Sequence, residues 1–258
     1  MLKMHCRTVA AIAVIVISCV VVGQTEPAAD TSSGPTVVIT GANRGLGLAF
    51  ARRFSADGFK VIGTARQPDA ADELRSLGVR IEQLDVTDAD SVRRLAEAIG
   101  DTPVDVLINN AGIGGGWGRP LKDVDIDEAE RILQVNCLGP MRVTQALLPA
   151  LRKGDRKLIV NITSTLGSIE RNTRGGSYGY RESKAALNMF TRSLATELGP
   201  HGFTCIAMSP GWVKTDMGGP NARLTPAESI DAMIKVIEGL STEHSGSFYN
   251  HAGELVPW

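Results

Sequence analysis

Tyr180 and Lys184 stand four residues apart in a run, 180–198, whose pattern predicts a helix. Positions i and i+4 share a helix face, so the Lys184 ammonium falls beside the Tyr180 hydroxyl. A free phenol titrates near ~10, too high for ready proton exchange at neutral pH. A fixed positive charge stabilises the phenolate and lowers that value, which would make Tyr180 a general acid or base. The same spacing also arises on solvated helix faces, so its meaning depends on the residues before it. Tyr178 is a rival phenol, but Glu182 stands where its lysine would be.

Residues able to hold a cofactor lie upstream. Thr36-Val37-Val38-Ile39-Thr40 is a short, apolar, β-branched run, as a buried strand requires. It leads into Gly41-Ala42-Asn43-Arg44-Gly45-Leu46-Gly47 and then a helical pattern. Strand, glycine-rich turn and helix form the first unit of a dinucleotide-binding fold, with the pyrophosphate at the helix N-terminus. The spacing Gly-x-x-x-Gly-x-Gly is one residue longer at its start than Gly-x-Gly-x-x-Gly. The alternative is a glycine-rich turn that binds nothing. The next strand, 60–65, ends in Ala65 and Arg66 where an acidic residue would hold the ribose of NAD. Arg66 and Arg44 suit a 2′-phosphate instead, which favours NADP(H) over NAD(H); the plainer reading is two solvated arginines.

Further strands are expected at 80–84, 104–109, 157–162 and 204–208, separated by helical segments. That alternation argues for an α/β fold, a parallel sheet with helices on both faces. Asp85-Val86 follows the third strand, where the carboxylate can accept from an adenine amino group. Asn109-Asn110-Ala111-Gly112 closes the fourth, and Ser164 lies just past the fifth, at a carboxyl strand end where ligands bind in such sheets.

In order, Thr40-Gly41-x-x-x-Gly45-x-Gly47, Asp85, Asn109-Asn110-Ala111-Gly112, Asn136, Ser164, Tyr180-x-x-x-Lys184 and Pro210-Gly211 resemble the short-chain dehydrogenase/reductase family over residues 36–258. Tyr180-Arg181-x-Ser183-Lys184-Ala185-Ala186-Leu187-Asn188-Met189 and the ending Phe248-Tyr249-Asn250 to Pro257-Trp258 resemble its C-factor and sniffer-type carbonyl reductases. The resemblance implies a single-domain, Rossmann-like, doubly wound parallel sheet of about seven strands. It implies an oxidoreductase that moves a hydride between a nicotinamide and a small-molecule carbonyl or alcohol. Tyr180 would be the acid or base, and Ser164 would orient the substrate oxygen, with flanking Thr163 and Thr165 as less favoured substitutes. Lys184 would bind the nicotinamide ribose and lower the Tyr180 pKa. Asn136, in a helix beginning near Asp125, would hold a water linking Lys184 to solvent. The cofactor would lie along Gly41, Asn43, Arg44, Gly45, Leu46, Gly47, Arg66, Asp85, Val86, Asn110, Ala111, Gly112, Tyr180, Lys184, Pro210, Gly211, Val213 and Thr215. Asn110 and Asp85 would meet the adenosine, and Val213 and Thr215 the carboxamide.

The segment between Met217 and Thr225 is short, which suggests an open site and loose substrate selection. Residues 171–176 lengthen the path from Ser164 to Tyr180 as a surface loop. Trp117, in Gly114-Gly115-Gly116-Trp117-Gly118, either lines the substrate pocket or covers the core edge. Many relatives pair through helices at 125–151 and 180–198, so a homo-oligomer is allowed. A regulatory or signalling protein on the same fold with little catalysis is the second reading. It is disfavoured because Asn136, Ser164, Tyr180 and Lys184 are all present.

The chain has 258 residues and a formal net charge of −1, with no basic stripe to suggest nucleic acid. The acidic cluster at Asp123, Asp125, Asp127, Glu128 and Glu130 suits a helix start. Cys137 and Cys205 read as buried free thiols, and the histidines lack ligand spacing, so no metal is expected. The catalytic domain is expected at 34–258. Residues 1–33 stand apart: Lys3, His5 and Arg7 precede an apolar run at 9–22 and a polar linker. A secretory signal, a lipoprotein signal at Cys19 and an uncleaved anchor all fit. Export or membrane anchoring is therefore expected, with a cytoplasmic location as the alternative, since NADPH is mostly cytoplasmic.

Overall fold

The computed structural model describes Met1 and residues 34–258. The compact unit Thr31–Trp258 carries every element below. The other unit, Met1–Asp30, lies outside the described residues apart from Met1, and so does the apolar segment read as a signal or anchor. Among the described residues no helix is long and apolar enough to cross a membrane.

Seven parallel strands form one sheet: β1 (Thr36–Ile39), β2 (Lys60–Ala65), β3 (Arg80–Gln83), β4 (Val106–Asn109), β5 (Leu158–Ile162), β6 (Thr204–Ser209) and β7 (Phe248–Asn250). Their order is β3-β2-β1-β4-β5-β6-β7, and each neighbouring pair is parallel. The chain leaves β1 toward one edge and returns at β4 toward the other. The switch between β1 and β4 opens a crevice at the carboxyl ends of the strands, where such sheets bind ligands.

The central strands read as unbroken apolar runs because both faces are covered. Val37, Ile39, Val106, Ile108, Leu158, Val160, Ile206 and Met208 pack on one side against α1 (Gly45–Ala56) and α7 (Pro226–Glu238). Val38, Leu107, Ile159 and Cys205 alternate with them and face α3 (Ala89–Ile99) and α5 (Gly139–Lys153) on the other. Burying one such side chain stabilises by about 1.5–3 kcal/mol, so period-two register is enforced on both faces at once. The remaining helices are the short α2 (Asp72–Arg75), α4 (Ile126–Leu133) and α6 (Tyr180–Leu198). The acidic cluster does start a helix: Asp125 caps α4 by accepting from Glu128 N, with Asp127 and Glu128 in the first turn.

The helix expected across 125–151 is interrupted. Between α4 and α5 the residues Gln134–Leu138 form one π-helical turn. Pro140 stands four residues after Asn136 and has no N–H to give its carbonyl, so the α-helical ladder fails at this turn. The break buries Asn136 and Cys137 and aims Asn136 at the crevice. Cys137 and Cys205 are both buried and free.

Candidate active site

Tyr180 opens α6 at the mouth of the crevice. Gly179 before it has φ +80°, and a Cβ there would lie 2.9 Å from the Ala129 backbone, so only glycine lets α6 start this close to α4. Ser164 follows β5 and caps a short turn, its Oγ accepting from Leu166 N at 3.1 Å. The turn closes on α6 through Gly167, whose added Cβ would come within 2.8 Å of Lys184 backbone. Thr163 Oγ1 donates to Asn188 Oδ1 at 2.7 Å, and Asn188 Nδ2 donates to Gly167 O at 3.2 Å. Strand β5, the Ser164 turn and α6 are thereby one tied unit. Thr163 faces inward to that tie, and the hydroxyl in contact with Tyr180 is that of Ser164.

Burial pushes the Tyr180 phenol up to about 12, and a hydroxyl contact with Ser164 draws it part of the way back. Burial therefore outweighs the lowering expected from Lys184. The Lys184 ammonium lies 5.8 Å from the Tyr180 ring centroid and donates to Ile162 O at 2.9 Å. Burial lowers its own pKa to about 8, with a small opposing pull from Cys137, so its charge is itself weakened near neutrality. Asn136 holds the far side: Oδ1 accepts from Ile113 N at 2.8 Å, and Nδ2 donates to Ile113 O at 2.9 Å and Ser183 Oγ at 3.1 Å. Both amide hydrogens are engaged by protein. A Cβ on Gly112 would sit 3.3 Å from Asn136 Oδ1 and 3.7 Å from Lys184 Nζ, so the glycine lies close against both.

The glycine turn fits a dinucleotide. Gly41 and Gly45 have φ +65° and +55°, and a Cβ on Gly47 would fall 2.1 Å from Gly41 O. Arg44, at the N-cap of α1, makes no side-chain cap and the first turn holds no acid, so the N-terminal N–H groups remain for an anion. Asn110 also has a structural task at the turn. Its Nδ2 donates to Thr40 O at 2.9 Å and Gly41 O at 3.1 Å, fastening the turn to the end of β4. Thr40, which the motif included without a role, accepts from Asn110 N and Ala111 N at 2.9 Å each.

Asp85 Oδ1 accepts from Thr87 N and Thr87 Oγ1, which holds the carboxyl below its usual value, with a lesser contribution from Arg66. Arg66 is exposed beside it, Val86 is buried, and Asn43 and Leu46 are half-buried at the turn. Val86 packs where a Cβ on Gly139 would meet it at 2.7 Å. The second phosphate candidate, Arg44, is ion-paired with Asp216 across 172 residues of chain. Pro210 O accepts from Ser229 Oγ at 2.7 Å, Gly211 has φ +81°, and Val213 is buried. Thr215 Oγ1 accepts from Gly218 N at 3.2 Å, and its methyl lies near Gly45. Among the described residues no group of three His, Cys, Asp or Glu side chains is placed to hold a metal.

A model of the short chain dehydrogenase family matches residues 35–224. The chain belongs to that family. It is an oxidoreductase, and its seven-stranded sheet is the fold of its solved relatives. Over 167 residues, 65% of this chain and all of the relative, it is 50% identical to the C-signal of Myxococcus xanthus. Among solved structures it resembles the carbonyl reductase Sniffer of D. melanogaster, with TM-score 0.82 and 34% identity over 87% of this chain and 100% of the other. The NADPH-bound carbonyl reductase from chicken fatty liver gives TM-score 0.81 and 35% identity over 87% and 99%. Trp117, which the sequence leaves between the substrate pocket and the core edge, has its ring 4.9 Å from that of Tyr180.

Proposed function

We propose that this chain is an NADP(H)-dependent carbonyl reductase in which Tyr180 exchanges the proton and Ser164 holds the substrate oxygen. The observation that carries it is the tied unit that brings Ser164, Tyr180 and Lys184 together. The cofactor, when bound, supplies the hydride. Ser164 Oγ donates a hydrogen bond to the carbonyl oxygen, and Tyr180 delivers a proton to that oxygen as charge gathers on it. A phenol held protonated by burial suits the reductive direction, because it arrives at the substrate as an acid. Lys184, with its Nζ beside Gly112, binds the ribose hydroxyls in this reading. Arg66, exposed next to Asp85, is the 2′-phosphate partner that favours NADP(H), with Arg44 joining it on leaving Asp216.

The test is NADPH oxidation across a panel of aldehydes and ketones, with NADH as control. Tyr180→Phe should lose turnover by about 10²–10⁴-fold while NADPH still binds. Undiminished turnover would remove Tyr180 from the chemistry.

A regulatory or signalling role is the second reading, and the 50% identity to a protein named C-signal favours it. A biological role untouched by Tyr180→Phe would support it. Homo-oligomers through α5 and α6, which expose Met141 and Met189, are read by light scattering. Export or anchoring through residues 1–33 rests on their basic start and apolar run. A full-length protein recovered wholly in the soluble cytosolic fraction would end that proposal.

A further inference from the structure

We propose that Trp117 selects the substrate of the Tyr180 site, favouring a carbonyl carried on a flat aromatic ring. The inference rests on the carbonyl-reductase reading and adds a substrate class to it. The indole lies 4.9 Å from the Tyr180 ring, tilted by 56°, and is 48% exposed while Tyr180 is 7% exposed. The indole therefore packs against the phenol with about half of its surface open to solvent.

The loop is built to hold it there. Gly116 has φ +69°, and a Cβ on it would lie 2.4 Å from Tyr178 O. A Cβ on Gly114 would meet Trp117 Cζ2 at 2.6 Å and Met217 Cγ at 3.0 Å. Two glycines thus let the indole and the Met217 thioether converge from opposite loops. Arg119, paired with Glu128 at 2.5 Å, fastens the far end of the loop to α4 and neutralises the nearby carboxylate. The result is a polarisable indole and thioether brought together beside the general acid. Aromatic and thioether surfaces gain most from a flat ring that stacks offset or edge-on. The mouth is accordingly more selective than the short 217–225 segment suggests.

The test compares benzaldehyde with cyclohexanecarbaldehyde, which match in carbon number and differ in flatness, using the full-length enzyme and NADPH. Trp117→Ala should lower the ratio of their kcat/KM values by about 3–10-fold, mainly through KM for benzaldehyde. Trp117→Phe should keep the ratio, and Trp117→Leu, which restores bulk without a flat ring, should not. An unchanged ratio in Trp117→Ala with both aldehydes still reduced overturns the inference. Calorimetric binding of benzyl alcohol against cyclohexylmethanol tests it apart from turnover. A ring preference that disappears in Trp117→Ala supports the inference, and no preference in the unaltered protein overturns it. Failure of both aldehydes to react, with that binding preference intact, removes the reductase reading alone.

Discussion

Two buried titrating groups at the site oppose each other in their effect on stability. Lys184 has its pKa lowered to about 8, against ~10.4 in an unfolded chain. Between those values the unfolded chain holds the proton and the folded one does not, so stability rises with pH. Tyr180, raised to about 12 against ~10 unfolded, keeps its proton longest when folded, so stability falls as pH climbs from 10 to 12. Lys184→Met should be more stable than the parent at pH 7, by on the order of 3 kcal/mol at most, and should lose the rise above pH 8. Urea midpoints from pH 7 to 10 check this; an unaltered slope would mean Lys184 is not desolvated as described. Arg44 gives a second expectation. Its pair with Asp216 is exposed on both sides, and exposed pairs are weak. Asp216→Asn should tighten NADPH about 2–5-fold and leave NADH unchanged, as read by fluorescence titration. The Tyr180–Lys184 spacing was legible as a pair, but the direction of the pKa shift was not, because it depends on burial by residues distant in sequence.

The glycine turn and the π-helical break show how local chemistry shapes the elements that carry the site. Gly47 sits where any side chain would strike Gly41 O at 2.1 Å, and that atom is in contact with the Asn110 amide. Gly47→Ala should weaken NADPH binding more than about tenfold by pushing the turn off β4, a factor that corresponds to ~1.4 kcal/mol. Gly45→Ala has its nearest new neighbour at 3.4 Å and should cost mainly the ~1–2 kcal/mol of its left-handed backbone. Thermal unfolding and NADPH titration of the two variants separate the effects; equal losses in both would contradict the geometry. The turn could be read from strand, glycine and helix signals. The division of 125–151 into α4, a π turn and α5 was overlooked, although Pro140 marks the missing donor.

A chain of buried amides joins the neighbouring strands β4 and β5 to the helices packed on them. Asn109 Nδ2 donates to Asn161 Oδ1 at 2.8 Å and Thr144 Oγ1 at 3.1 Å, and Asn161 Nδ2 donates to Thr191 Oγ1 at 2.9 Å. It links β4, β5, α5 and α6, the elements that carry Gly112, Ser164 and Tyr180. Asn161→Leu should destabilise by about 2–4 kcal/mol by removing the buried acceptor of Asn109 Nδ2 and the donor to Thr191 Oγ1, with activity falling along with folded fraction. Urea unfolding checks it, and a loss under ~0.5 kcal/mol, typical of surface changes, would show that the network relaxes. At the edge of the sheet, Ser168 Oγ donates to Pro257 O at 2.6 Å and Trp258 packs 5.5 Å from Phe248. The last segment thereby buttresses the loop after Ser164.

By itself the sequence determined the parallel sheet and the glycine turn, and it singled out Ser164, Tyr180 and Lys184 as candidates. These are written in short-range periods, turn residues and fixed spacings. Tertiary structure alone decided that Tyr180 is buried and raised, that Asn110 fastens a turn, that Arg44 meets Asp216 and that Trp117 packs against the phenol. Each of those depends on desolvation or on partners brought together from separate loops, and no local pattern encodes how far apart such groups finally lie.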